Sequence, residues 1–458
     1  MSETSLSRAT GRSRWRSCPS GAIRWFAALS AAALLAGCTP AGAVGPAGDS
    51  SSVSSTATRT QGQPAPSPTA TVLPDSKILA TRLAAVSRSG IGASGLTVLA
   101  ADGSPVTSRR ADKPLAPAST MKVLTTLAAL DTLGADHRFT TRVVRSGTQV
   151  VLVGGGDPLL TDKQSASAVK PASLQALAAT TVTALAAAGM TRIRLGYDTS
   201  LFSGPDFNSA WKPEWRSWVA RVSPLLIGEG RFNQWQADPA PARTAATAFA
   251  KRLKAAGITV TGIRPAKAAS TATEVASVQS ATLDALIGRT LRLSDNLAAE
   301  VVARQVAVAS GKPGSFAGAA ATIKAWLSGR GLWASGMRVL DGSGLSVRDR
   351  VTPSVLARAI LVSLADDKLA GVASGLPVAG VNGTLKHRFD DKAEKVARGN
   401  VHAKTGTLVG VAALAGYLTT ADGTRLAFAM MANQTRGQTT AYNWLDRSTA
   451  VLVRCGCR

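Results

Sequence analysis

Pro117-Ala118-Ser119-Thr120-Met121-Lys122, running on into Val123-Leu124-Thr125-Thr126-Leu127-Ala128-Ala129-Leu130, is the stretch on which the reading of this 458-residue chain turns. Pro117 stands just before a helix start, Leu124, Leu127 and Leu130 recur at helical spacing, and Gly134 is placed to end the helix after Leu133. Ser119 then lies in the first turn, and Lys122, three residues on, shares its face. Backbone N–H groups at a helix start are unpaired and partly positive, so they favour negative charge developing near Ser119. A serine hydroxyl needs a base, and a lysine serves only when neutral, which desolvation and a neighbouring cation promote. On its own the pattern is also that of a helix-capping serine and a solvated lysine.

Two further short motifs follow in order. Ser294-Asp295-Asn296 falls at a break between two helical patterns, where Asp and Asn make good caps and poor helix interior. Ser294 and Asn296 are two apart, so in a turn both can face one cleft, the hydroxyl passing a proton to a leaving group and the amide holding a peptide bond. Lys404-Thr405-Gly406-Thr407 lies in an apolar, strand-like run. An edge strand there exposes backbone donors to an extended peptide. Lys404 with the Thr405 and Thr407 hydroxyls makes a carboxylate-binding set, Gly406 lets a ligand approach the backbone, and the N–H groups of Thr407 and Ser119 form an oxyanion hole. Lys404 is also the expected cation beside Lys122.

The N-terminus decides the compartment. Arg8, Arg12, Arg14, Arg16 and Arg24 precede the apolar run Trp25 to Ala36, too short for a bilayer span and read as a signal-peptide core. Leu35-Ala36-Gly37-Cys38 resembles a bacterial lipobox with Cys38 as the lipidated residue; ordinary cleavage near Ala43 or an uncleaved anchor are the alternatives. Each puts the remainder outside the cytoplasm, on the outer face of the cytoplasmic membrane where an anchor is kept. Residues 39–74, rich in Ala, Gly, Ser, Thr and Pro, read as a flexible tether.

Composition excludes little else. The apolar fraction of 45% is that of a globular protein. The net charge of +25 invites a polyanion, yet no zinc-finger spacing or basic helix appears and aromatics are 5%, so nucleic acid is not expected. Removing residues 1–37 takes away five Arg and one Glu, so export leaves the chain strongly basic. Of four cysteines, Cys18 lies in the signal region, and Cys455 and Cys457 end the chain as either a disulfide or two thiols. His137, His387 and His402 show no metal-ligand spacing, and Gly154-Gly155-Gly156 lacks the Lys-Ser/Thr of a phosphate loop. No metal or cofactor is expected.

Periodicity places a hairpin at Leu96–Ala100 and Val106–Arg110 around Asp102-Gly103, and strand-like runs at 139–144, 149–153, 192–197 and 259–263. Helical patterns cover 173–188, 242–256, 282–293, 296–309, 316–329, 352–365 and 440–453, and two closing strands are expected at 401–419 and 426–431. The alternating strand and helix patterns suggest an inserted α/β region.

The Ser-x-x-Lys, Ser-Asp-Asn and Lys-Thr-Gly set is that of class A β-lactamases and penicillin-binding proteins. The long stretch between Lys122 and Ser294 separates the two. From about Asp75 onward the chain resembles the D-alanyl-D-alanine carboxypeptidase/endopeptidase family of low-molecular-mass, class C penicillin-binding proteins, which is similar in carrying an insertion there. Matching segments include Gly156-Asp157-Pro158, Asp341-Gly342-Ser343-Gly344-Leu345-Ser346, Gly383-Thr384-Leu385 with Arg388-Phe389, and Lys404 to Leu408. Two departures stand out. Val347 intervenes before Arg348, and Glu214-Trp215-Arg216-Ser217 occupies a Trp-rich segment where many members carry an acidic residue.

The resemblance implies an α/β (α+β) fold. A serine β-lactamase/transpeptidase-like domain, an antiparallel sheet flanked by helices plus a helical subdomain, would span 75–136 and 276–458, with an inserted α/β region at 137–275. It further implies serine acyl transfer on D-Ala-D-Ala stem peptides of peptidoglycan without metal, and covalent inhibition by β-lactam antibiotics. In these terms Ser119, Lys122 and Ser294 are catalytic, and Asn296, Lys404, Thr405, Gly406 and Thr407 bind substrate. The rival readings are a β-lactamase and a non-catalytic wall-binding lipoprotein.

Overall fold

Val401 to Leu408 (β8) and Val411 to Thr419 (β9) form a hairpin that turns at Val409-Gly410, where one long strand was expected. Gly410 takes φ +71, a conformation open to glycine, and this breaks the run. The computed structural model describes residues 73–455, so the signal segment, Cys38 and Cys457 lie outside the described residues, as do all but the last two residues of the tether. Cys455 is buried and disulfide-bonded.

The hairpin belongs to a five-stranded antiparallel sheet. Its other strands are Ile91–Ala100 (β1), Pro105–Arg109 (β2) and Arg425–Thr435 (β10), in the order β2-β1-β10-β9-β8. On one face Leu96, Val98, Leu414, Phe428 and Met430 pack against Ser76–Ala84 (α1) and Gln438–Arg454 (α10), the latter through the buried Trp444. The other face is lined with small side chains, Ala413, Ala415, Ala427 and Ala429. They let Pro353–Ala365 (α8) lie directly on the strands, and Met121–Leu133 (α2) packs beside it. Every residue of α2 from Met121 to Leu130 is buried, so this helix runs through the centre of the molecule instead of lying on its surface. Leu283–Leu293 (α5), Asn296–Ala309 (α6), Phe316–Gly329 (α7) and Ala370–Gly375 (α9) complete the helical part around it.

The insertion builds its own sheet. Thr140–Ser146 (β3), Gln149–Val153 (β4), Arg192–Asp198 (β5), Thr259–Pro265 (β6) and Thr273–Gln279 (β7) stand in the order β6-β5-β4-β3-β7. β4, β5 and β6 are parallel, joined through Leu174–Ala187 (α3) and Pro241–Ala255 (α4), while β3 and β7 are antiparallel. β7, with few large apolar residues, gave no strand signal, and its end at Gln279 lies past the expected limit of 275. Helices cover one face of this sheet, where Val143, Leu152, Leu195 and Phe249 form a separate core. The Trp-bearing segment of the insertion leaves that sheet entirely. Phe202, Trp211, Trp215 and Val219 pack instead with Ala118, Val301, Leu345 and Leu408 beside Ser119. No helix among the described residues is long and apolar enough to cross a membrane.

Candidate active site

All three motifs meet at one point. Ser119 lies in a single 3-10 turn, Ala118–Thr120, ahead of α2, and not in the first α-helical turn as expected. Ala118 holds φ +47, and Ser294, which closes α5, holds φ +58. A left-handed conformation costs a non-glycine residue roughly 1–2 kcal/mol, and such strain gathers where surrounding contacts dictate geometry. Asp295 caps α6 by accepting from the Ala298 N–H at 3.0 Å, as its position between two helices suggested.

Lys122 is fully buried, and its Nζ has three partners: Ser119 Oγ at 2.9 Å, Asn296 Oδ1 at 2.7 Å and the Ser343 carbonyl at 2.8 Å. Two of these are carbonyl oxygens, which only accept. When Lys122 is neutral it has two N–H donors for them, and its lone pair is left facing the one partner with a proton to give, the Ser119 hydroxyl. Burial pulls the ammonium down from its usual value to about 8, with the carboxyls of Glu300, Asp341 and Asp295 opposing it.

Lys404 is equally buried, with Nζ on Ser294 Oγ and on the Thr405 carbonyl, both at 2.9 Å. Burial, and then the charge of Lys122, draw it well below its usual value. The repulsion between the two ammonium groups is mutual, and burial is the larger cause for each.

β8 is the edge of its sheet, as expected, and its outer side is covered only at the start. The Ala379 N–H bonds to the Val401 carbonyl and the Ala403 N–H to the Pro377 carbonyl. By the alternation of an antiparallel ladder, the backbone groups of Thr405 and Thr407 face the same, free side. Thr405 Oγ1 lies 2.7 Å from Thr384 Oγ1, and Thr407 Oγ1 lies 2.8 Å from the Tyr442 hydroxyl. Gly406 is glycine for a reason other than ligand access: a Cβ there would stand 2.5 Å from the Pro117 carbonyl oxygen. The strand thus packs directly on the turn that carries Ser119.

Asn296 also differs from expectation. Its Oδ1 accepts from Lys122 and its Nδ2 donates to the Trp218 carbonyl at 3.1 Å, so both ends of the amide are engaged within the protein. Beside it a cleft of about 280 Å³ is lined by Trp218, Glu229, Arg231, Arg289, Ser294 and Asn296. Arg289 bridges Glu229 at 2.6 Å and Asp295 at 2.5 Å, joining the insertion to the start of α6. In the Trp-rich segment, Trp215 stacks on Trp218 at 5.9 Å while Glu214 is exposed.

Sequence reasoning missed the support beneath the lysines. Glu300, fully buried, accepts the N–H groups of Ser343 at 2.7 Å and Gly342 at 3.1 Å. Asp341 accepts those of Gly344 at 2.6 Å and Ser346 at 2.7 Å, together with the Trp211 indole N–H at 2.7 Å. Burial and then the Asp341 charge raise Glu300 to about 7, and burial holds Asp349 well above the carboxylate range. The one available signal was a glutamate among the apolar residues Leu297 to Ala303 of a helical run. His402, noted for its place two residues before Lys404, stacks on Tyr417 at 4.7 Å.

The chain as a whole has counterparts among known proteins. The D-Ala-D-Ala carboxypeptidase 3 (S13) family model matches residues 79–239 and 231–451. A carboxypeptidase of Mycobacterium tuberculosis is 34% identical over 362 residues, 76% of this chain and 77% of that protein. Carboxypeptidase DacB of Mycolicibacterium smegmatis is 34% identical over 404 residues, 84% and 85%. Among solved structures, penicillin binding protein 4 (DacB) of Haemophilus influenzae superposes with a TM-score of 0.69 at 21% identity, covering 81% of this chain and 98% of that one. A second structure of that protein holds a novel β-lactam, with a TM-score of 0.60 at 19% identity and the same coverage.

Proposed function

The chain belongs to the D-Ala-D-Ala carboxypeptidase 3 (S13) family of serine peptidases, and from that premise we propose that it is an exported carboxypeptidase/endopeptidase working through an acyl-enzyme on Ser119. One observation carries the reading: the two carbonyl acceptors that hold Lys122 leave its lone pair for Ser119.

Ser119 Oγ attacks the carbonyl between the two D-alanines, and its proton passes to Lys122 Nζ. The oxyanion is held by the N–H groups of Ser119 and Thr407. As the C–N bond breaks, the proton that Lys122 took from Ser119 is handed to the departing amine through Ser294, which Lys404 holds, and Lys122 is neutral again. The substrate pairs with the free edge of β8, its terminal carboxylate at the Thr405 and Thr407 hydroxyls. Asn296 acts by holding Lys122. Water then attacks the Ser119 ester, losing its proton to Lys122, which returns it to Ser119 Oγ as the ester bond breaks, and the trimmed or cut stem peptide leaves. A β-lactam carbonyl enters the same path and stops at the ester. Cys38, lipidated, tethers the enzyme to the outer face of the membrane.

Intact-mass measurement after adding benzylpenicillin tests this. A persistent single adduct on Ser119, with D-alanine released from a D-Ala-D-Ala peptide, is the expected result. A fleeting adduct would turn the reading to a β-lactamase, and none at all would turn it to a non-catalytic wall binder.

A further inference from the structure

Three consecutive residues of the insertion, Gly228, Glu229 and Gly230, take left-handed backbone angles, φ +57, +57 and +65. Glycine does so freely, but Glu229, at ψ 29, carries a Cβ that crowds the following carbonyl. Ala118 and Ser294 in the active site share this strain. A strained backbone persists where surrounding contacts impose it, and it gathers where geometry matters to function.

Glu229 makes one side-chain contact from this turn. Its Oε1 accepts from Arg289 Nη2 at 2.6 Å, while Nη1 of the same guanidinium donates to Asp295 Oδ2 at 2.5 Å. Stability does not account for the glutamate. Its side chain keeps 43% of its surface exposed, and an ion pair so open to solvent returns less than the left-handed conformation costs. A third glycine would form the turn with less strain.

The other end of this chain of contacts is the proton route. Asp295 Oδ1 accepts the Ala298 N–H at 3.0 Å, so both oxygens of that carboxylate are fixed. Ser294, the residue before it, closes α5 with its N–H on the Thr290 carbonyl, and its Oγ accepts from Lys404 Nζ at 2.9 Å. The hydroxyl is thus held by Lys404 and aimed by the peptide it shares with Asp295. An arginine forked between two carboxylates keeps one orientation. With Asp295 as its single partner the long side chain can swing, and Asp295 with it.

Asn296 has its own link to the insertion, Nδ2 to the Trp218 carbonyl at 3.1 Å. Lys122, which Asn296 holds, therefore does not depend on Glu229. Across the cleft of about 280 Å³ the insertion reaches the motif at two points, one serving the base and one serving the relay.

We propose that Glu229 is a positioning residue: through Arg289 and Asp295 it aims the Ser294 hydroxyl at the departing amine. The inference rests on the reading of Ser294 as the relay for that proton. The strained turn of the insertion in this way serves the reaction without touching substrate.

Two leaving groups separate this role from a structural one. A peptide expels an amine, which needs the proton. A thiolester of the same acyl half expels a thiolate, which departs with its electron pair and needs none. The ratio kcat/KM reports the steps through acylation, so hydrolysis of the Ser119 ester does not enter. With a D-Ala-D-Ala peptide, Glu229→Gly should lower kcat/KM about tenfold, and with the thiolester carrying thioglycolate in place of the terminal D-alanine it should change by less than about twofold. The melting temperature of this variant should hold or rise, because the strain is relieved. Glu229→Gln keeps an oxygen for Arg289 and should recover most of the rate on the peptide. Arg289→Lys, whose single ammonium cannot span both carboxylates, should show the selective loss. An undiminished rate of Glu229→Gly on the peptide, or equal losses on both substrates, overturns the proposal. Ser294→Ala shows where such a failure lies. Equal losses on both substrates in Ser294→Ala fault the relay reading; a loss confined to the peptide there, without one in Glu229→Gly, faults Glu229 alone.

Discussion

Glu300 Oε1 stands 2.7 Å from the backbone nitrogen of Ser343, and the carbonyl of that same residue receives Lys122 Nζ at 2.8 Å. A buried carboxylate on α6 therefore fixes, through the backbone of one residue, the direction in which the lysine presents its lone pair. Glu300→Gln keeps the shape but gives up one of the two acceptors and the negative charge. Without that charge Lys122 becomes a weaker base, so the acid limb of benzylpenicillin acylation should move to lower pH while the maximal rate falls. Asp341 and Asp295 also act on Lys122 and stay unchanged. An acid limb that stays in place in this variant would remove Glu300 from control of the lysine.

The wild-type pH profile follows from the same group. Lys122 acts as base only when neutral, and burial sets it at about 8. Acylation should therefore rise with pH through about 8 and level off above it, as stopped-time mass measurements at a series of pH values would read. A profile flat between pH 6 and 9 would contradict the assignment.

Ser119→Ala and Lys122→Met should each leave no adduct with benzylpenicillin. Methionine nearly preserves the buried volume of Lys122 and removes the need to hold a charge in the core, so the fold should survive. Circular dichroism and the melting temperature check that the loss is one of chemistry. Normal labelling of either variant would sink the roles of nucleophile and base assigned to these two residues.

Gly344→Ala should cripple acylation without touching a reacting atom. Gly344 takes φ +78, and an added Cβ would fall 1.9 Å from the Ala118 carbonyl oxygen. The turn bearing Ser119 must then shift. Gly423→Ala is the control, with φ +83 and open space around it. Both carry the left-handed penalty of about 1 kcal/mol. Only the first should lose acylation rate, by on the order of a hundredfold if the nucleophile is displaced by about 1 Å.

Arg388→Ala should destabilise the protein strongly. Arg388 Nε bonds Asp446 Oδ2 at 2.8 Å with both side chains largely buried, and the guanidinium lies 4.4 Å over the Tyr442 ring. Removing one partner leaves an uncompensated buried charge, worth about 3–5 kcal/mol. Tyr442 also bonds Thr407, so the surviving folded fraction should acylate more slowly. Denaturant unfolding gives the first quantity and labelling kinetics the second.

Much of the fold was legible because it is local. The break at Ser294-Asp295-Asn296, the helices on either side and the strand that carries Lys404 follow from capping and periodicity. The insertion was legible as alternating strand and helix patterns, except for β7, whose Thr273–Gln279 offers no apolar alternation. The 3-10 turn at Ser119 escaped because a Pro-led helical pattern does not distinguish its first turn from an α-helical one.

That a serine, two lysines and a second serine would meet could be read from the amino acids alone, since three spaced motifs with matching local structure leave few other arrangements. So could the helix ends and the strand that carry them. The tuning of the two lysines could not, because it is a property of the assembled fold. Burial of an ammonium, the reach of Glu300 to the Ser343 peptide, and the packing of Gly406 and Gly344 on the Ser119 turn depend on segments far apart in the chain. Periodicity reports which face of an element is apolar. It does not report which distant charge, carbonyl or backbone turn that face will meet, and those meetings set the chemistry.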